Sequence, residues 1–190
     1  MVFASGSGSN FQAILNAIDA GKLQAVVTGL VVSNPKAGAI QRASSKRIPV
    51  YIHDQKGFKS EVFATEHLIQ NVSNFGADLI VLAGYLKKIP SKFIELYRNR
   101  ILNIHPSLLP KYGGLGFYGI KVHEAVLANG EVESGCTIHL VTDEYDEGPI
   151  LAQKKVAVYI TDSPEDLAAR VLQQEHELFP TIIQEYLYKK

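Results

Sequence analysis

Short runs rich in β-branched residues, at positions 26–33, 50–52, 79–83 and 101–104, recur with room for a helix between each. They are almost continuously apolar, whereas a strand with one face in water alternates apolar with polar residues. Such runs predict a sheet covered on both faces. The segments between them carry the helical period. Phe11, Ile14, Leu15 and Ile18 fall at i, i+3, i+4 and i+7, one apolar stripe that Gly21 terminates. Ser9 and Gln12 have capping-box spacing, which starts this helix just after Gly6 and Gly8. A second helix is expected over residues 60–74, ending at Gly76. Beyond Ile104 the rhythm changes. Residues 136–141 and 150–158 read as longer strands, and Ser163-Pro164 opens a last helix with proline at its first position. The expectation is a single domain over residues 1–190. It is an α/β fold whose doubly wound, mostly parallel sheet is extended by C-terminal strands.

Charge narrows the partners. Nineteen Lys and Arg balance nineteen Asp and Glu, which supplies neither a basic footprint for nucleic acid nor a polybasic membrane patch. The longest apolar run, about ten residues over 77–86 with Asp78 within it, falls short of the ~20 needed to span a bilayer. The first twenty residues contain no Lys or Arg, so the charged opening of a secretory signal is missing and a cytoplasmic location is expected. The lone cysteine, Cys136, excludes an internal disulfide framework and alternates with Ile138 and Leu140 as a core residue would.

Two segments carry chemistry. The opening strand at residues 1–4 runs into Ser5-Gly6-Ser7-Gly8-Ser9-Asn10 and then a helix. Glycines let a backbone approach a ligand closely, and a helix start offers free N–H groups to an anion, so a phosphate fits here. A dinucleotide site is the rival. The third glycine of its pattern would fall on Phe11, and the second strand ends in Ser33-Asn34 where an acidic residue would hold the ribose. Both departures count against NAD, and no Gly-Lys-Ser/Thr follows to make a P-loop. A tight strand-to-helix turn without ligand is the structural alternative.

The second segment is Asn103-Ile104-His105-Pro106-Ser107-Leu108-Leu109-Pro110. Strand alternation puts Asn103 and His105 on one face, at the carboxyl end where open α/β sheets bind ligands. An acidic loop, Thr142-Asp143-Glu144-Tyr145-Asp146-Glu147-Gly148-Pro149, lies between two later strands. An amide, an imidazole and a carboxylate together suit acyl transfer, the carboxylate raising and orienting the imidazole. Chain order alone does not bring Asp146 to His105, and a solvated turn is the plainer reading. His123 and His139 with His105 and Asp146 match no metal-ligand spacing, so no metal is expected. His53, His67 and His176 read as surface or packing residues.

These two segments together resemble the signature of the folate-dependent formyltransferases. Ser5-Gly6-Ser7-Gly8-Ser9-Asn10 is similar to the branch whose acceptor is a glycinamide ribonucleotide. Val81-Leu82-Ala83-Gly84-Tyr85-Leu86 and Gln174-Glu175-His176 match as well. The resemblance covers nearly the whole chain and implies a Rossmann-like formyltransferase fold. It also implies passage of the formyl group of 10-formyltetrahydrofolate to the amine of 5-phosphoribosylglycinamide, in purine biosynthesis. It implies that Gly8, Ser9 and Asn10 hold the substrate phosphate and that Glu175 takes the ribose hydroxyls. Leu86, Lys87, Lys88, Ile89, Asn103, Thr142, Asp143, Glu144, Tyr145 and Asp146 would line the folate site. Asn103, His105 and Asp146 would be catalytic, His105 as general acid and Asp146 as the group that raises its pKa. Two small molecules are then the partners, with no metal and no NAD, and with a monomer or homodimer as the assembly.

Two features depart from the family pattern. Glu61 stands where many relatives carry an arginine near the folate tail, with Lys59 as a substitute, and residues 113–119 are richer in glycine than usual. Methionyl-tRNA formyltransferase and formyltetrahydrofolate hydrolase share the Asn-His-Asp chemistry but add a domain, whereas here the core occupies the 190 residues. A non-catalytic phospholigand-binding module would need only the glycine loop.

Overall fold

The computed structural model describes residues 1–188. Seven strands form one sheet, built in chain order from β1 (Val2–Ala4), β2 (Leu30–Val32), β3 (Val50–Ile52), β4 (Ile80–Leu82), β5 (Ile101–His105), β6 (Glu133–Leu140) and β7 (Ile150–Ala157). Their spatial order is β3-β2-β1-β4-β5-β6-β7. The first five are parallel, and β6 and β7 add on antiparallel. The chain winds outward from β1 to β3, then returns to β4 beside β1. That reversal opens the crevice at the carboxyl ends of β1 and β4 where such folds bind ligands. The helices are α1 (Ser9–Asp19), α2 (Ala39–Ser45), α3 (Glu61–Asn74), α4 (Ser91–Leu96), α5 (Ile120–Ala128) and α6 (Pro164–Tyr188).

Near-continuous apolar strands produce two cores, because successive side chains point to opposite faces. Val2, Ala4, Leu30, Val32, Val81 and Leu102 pack with Phe11, Ile14, Leu15 of α1 and with Phe179 and Ile183 of α6. Phe3, Val31, Ile80, Leu82 and Ile101 face the other way, onto Leu68 and Val72 of α3 and Phe93 of α4. Cys136 belongs to a third cluster with Val126, Leu167 and Val171. Burial first, then the nearby Glu175 charge, pushes its thiol up to about 12, so it is inert core.

Several local expectations change. The run at 26–33 pairs only over Leu30–Val32, because its partners β1 and β3 are three residues long, and Val26 is 83% exposed. The capping box at Ser9 and Gln12 does not form. Gly8 is the N-cap, in a left-handed conformation at φ 74°, so Ser9 is already helical and caps nothing. Gln12 instead bonds Asn16 and Arg42. A reciprocal cap does form on α6, where Ser163 Oγ accepts from the Asp166 N–H and Asp166 accepts from the Ser163 N–H. Helices α2, α4 and α5 had no clear signal, being short or, for α5, placed behind a glycine-rich stretch.

The acidic loop between β6 and β7 closes through a tight approach. A Cβ at Gly148 would collide with the Leu140 carbonyl, while Leu140 N–H bonds the Pro149 carbonyl at 2.9 Å. Gly148→Ala should therefore cost about 2–4 kcal/mol by forcing the backbone apart. Thermal melting should show a Tm lower by roughly 5–10 °C. Gly57→Ala, where no heavy atom lies within 4 Å, should leave the Tm almost unchanged.

Candidate active site

Residues 101, 103 and 105 share one face of β5, and that face changes character along the strand. Ile101 sits in the core, whereas Asn103 and His105 reach the carboxyl rim. The antiparallel register of β6 places His139 opposite Asn103 and Thr137 opposite His105. Asn103 Nδ2 lies 3.0 Å from His139 Nε2. His139 Nδ1 is 2.9 Å from the Leu140 carbonyl, which only accepts, so Nδ1 carries the proton and Nε2 accepts from Asn103. The Asn103 amide is thereby oriented.

Asp146 arrives from the β6–β7 loop with φ 57°, the left-handed region that aspartate tolerates better than most residues. Its Oδ2 accepts the Gly114 N–H at 2.9 Å and lies 3.5 Å from His105 Nδ1. Its Oδ1 is 3.4 Å from Asn103 Nδ2 and 3.5 Å from His139 Nε2. His105 Nε2 donates to the Tyr112 carbonyl at 2.8 Å, so the proton His105 gains or loses is the one on Nδ1, beside Asp146. Burial depresses the pKa of His105; the Asp146 charge and the Tyr112 carbonyl push it back up without cancelling that, and it stays below its ordinary 6.5. Asp146 is opposite in balance. Burial raises it, but His139, the His105 charge and the Gly114 N–H outweigh burial and hold it below the usual carboxylate range.

A cavity of about 480 Å³ opens from this cluster. It runs past Gly84, Tyr85, Leu86 and Lys87 on one wall and residues 114–120 on another, to Asn10 and Glu175. Glu175 is 6% exposed, and its Oε2 accepts from Asn10 Nδ2 at 2.7 Å. Burial raises its pKa to about 7 against the lowering effect of Asn10. The three glycine-loop candidates separate: Asn10 borders this cavity, while Ser9 borders a groove of about 710 Å³ between α1 and α6, with Arg42 and His176. Gly8 is buried against α2, where a Cβ would meet Ala39 Cβ at 2.8 Å, which explains glycine here without a ligand. The larger groove contains none of Asn103, His105 and Asp146, which border the smaller cavity.

A side slot of about 80 Å³ lies between Lys87, Lys88 and Ile89 on one side and residues 142–146 on the other, with Asn103 and His139 at its base. Lys88 Nζ sits 5.4 Å from the centre of the Tyr145 ring. Leu86 borders the main cavity rather than this slot, and Lys59 and Glu61 border neither. His53 and His67 pack around Tyr51 on the far flank of the sheet. Among the described residues, no three His, Cys, Asp or Glu side chains are arranged to hold a metal ion.

A family model described as formyl transferase matches residues 1–183. The chain belongs to the formyltransferase family. It is 45% identical to the chloroplastic phosphoribosylglycinamide formyltransferase of Arabidopsis thaliana, over 96% of this chain and 63% of that protein. The chain thus spans about three fifths of the length of the plant relatives. It is 38% identical to the phosphoribosylglycinamide formyltransferase of Escherichia coli, over 96% of this chain and 84% of the relative. The crystal structure of the enzyme of that name from Bacillus halodurans superposes with a TM-score of 0.92 at 34% identity, covering 99% of this chain and 94% of that one.

Within this cluster, sequence reasoning did not assign His139, the Tyr112 carbonyl or the Gly114 N–H. The first depends on strand register and the other two on backbone groups, which carry no residue signature. A test concerns Glu175. Its folded pKa lies above its unfolded value of 4.5, so its contribution is fully present below pH 4.5 and is lost as pH rises through about 7. Glu175→Gln escapes that loss. Its stability relative to wild type should rise between pH 5 and pH 8, by an amount on the order of 3 kcal/mol at most, read by melting at both pH values.

Proposed function

We propose that the chain transfers the formyl group of 10-formyltetrahydrofolate to the primary amine of 5-phosphoribosylglycinamide, within purine biosynthesis. The observation that carries this reading is the meeting of Asn103, His105 and Asp146 at one end of a cavity whose other end holds Asn10 and the buried Glu175. The names of the bacterial and plant relatives supply the acceptor.

In this proposal the ribonucleotide phosphate lies at the loop of Gly8, Ser9 and Asn10, where α1 begins. Its ribose hydroxyls bond Glu175, and its amine reaches the β5 rim. The pterin occupies the slot between residues 86–89 and 142–146, next to Asn103. The amine then attacks the formyl carbon, whose oxygen becomes negative. Asn103 donates to that oxygen by giving up its long 3.4 Å contact to Asp146 while keeping His139. One such donor in a dry site is worth about 3 kcal/mol. The leaving folate nitrogen needs a proton and the amine must lose one. His105, neutral at rest, takes the amine's proton on Nδ1 and delivers it to the folate nitrogen, and Asp146 sustains the imidazolium formed between, which burial opposes.

Purified protein given both substrates should form the formylated ribonucleotide, and a failure to do so removes the proposal. His105→Ala and Asp146→Asn should each lower kcat by about 10²–10⁴-fold. The double variant should lose little more than either single one, because the pair acts as a unit. In NMR titration the His105 midpoint, already below 6.5, should move lower still in Asp146→Asn. An unmoved midpoint would mean that Asp146 does not act through His105.

A further inference from the structure

Among the buried acid, amide and imidazole side chains bordering the main cavity, all but one are held by at least one hydrogen bond or ion pair, although Asn10 Oδ1 is itself unpaired. Asn10 and Glu175 bond each other at one end. His105 bonds the Tyr112 carbonyl and faces Asp146 at the other. The exception is His123, on the first turn of α5 directly behind the glycine-rich stretch. It is 4% exposed, its Nδ1 is buried without a partner, and none of the hydrogen bonds among the described residues involves its ring. A buried polar group without a partner costs stability, so a histidine kept on this wall points to a role for its ring toward the cavity. We infer that His123 recognises the amide linkage of the acceptor ribonucleotide, between its sugar and its amine.

The inference rests on the acceptor proposed above and follows from the spacing of the cavity. His123 lines the same cavity as Glu175 and His105 and lies near enough to His105 to feel its charge, so with the sugar at Glu175 and the amine at His105 it is placed to meet the linkage between them. A secondary amide offers one N–H and one carbonyl. A neutral imidazole offers one acceptor and one donor, and matches either group without introducing charge. His123 stays neutral at physiological pH, since burial and then the nearby His105 charge bring its pKa down to about 4. A lysine or arginine at this position would set a second cation against His105.

The test compares binding of 5-phosphoribosylglycinamide with that of ribose 5-phosphate, which keeps the phosphate and sugar and lacks the amide. By calorimetry, His123→Phe should weaken the ribonucleotide about tenfold or more and leave ribose 5-phosphate unchanged. His123→Gln, which retains both a donor and an acceptor, should recover most of that loss. The Tm of His123→Phe should equal or exceed the wild type, because an unpaired polar group has gone. Should phenylalanine not be accommodated, His123→Leu makes the same comparison. Equal weakening of both ligands, or of neither, overturns the inference while leaving the proposed acceptor standing. A wild-type protein that binds no 5-phosphoribosylglycinamide overturns both.

Discussion

One carboxylate ties the functional end of this molecule together. Asp146 takes hydrogen bonds or close polar contacts from β5, from β6 and from the Gly114 N–H that begins the glycine-rich stretch. These segments are far apart in sequence and meet only because the β6–β7 loop folds back over the sheet rim. The left-handed backbone at Asp146 and the close approach at Gly148 are the local requirements of that return. Removing this carboxylate would leave His105 Nδ1 without its charged partner and the Gly114 N–H unpaired.

The site is made of groups that folding would prefer to avoid. His105 and His123 are pushed toward neutrality by burial, and Glu175 is pushed toward its protonated form. Each is a stability cost that a purely apolar replacement would not carry. The two apolar cores on the faces of the sheet offset these costs. They run through the middle of every parallel strand and give way to polar residues only at the carboxyl rim. The division follows from the strand alternation: Ile101 anchors the same face of β5 that Asn103 and His105 present to the cavity.

The five parallel strands and the three long helices, α1, α3 and α6, were legible in the sequence, because burial on both faces leaves continuous apolar runs and helices repeat every 3.6 residues. Boundaries were less legible. The run at 26–33 is apolar over its length, but its pairing stops where its three-residue neighbours stop. The capping signal at Ser9 was outweighed by the left-handed turn at Gly8. Among the candidate residues, Asn103 and His105 were placed by alternation, while the formyltransferase motifs pointed to Asp146 and Glu175.

What the sequence by itself determined is thus the α/β class, the placement of Asn103 and His105 at a strand end, and the types of side chain available. Those are local properties, written in the spacing of neighbouring residues. Tertiary structure alone decided which of these side chains meet. His139 joins Asn103 through the register of β5 and β6, Asp146 reaches His105 through a loop closure about forty residues along the chain, and Asn10 meets Glu175 through the packing of α1 on α6. Register, loop return and helix packing are set by the fit of whole elements against one another, and no local pattern encodes them.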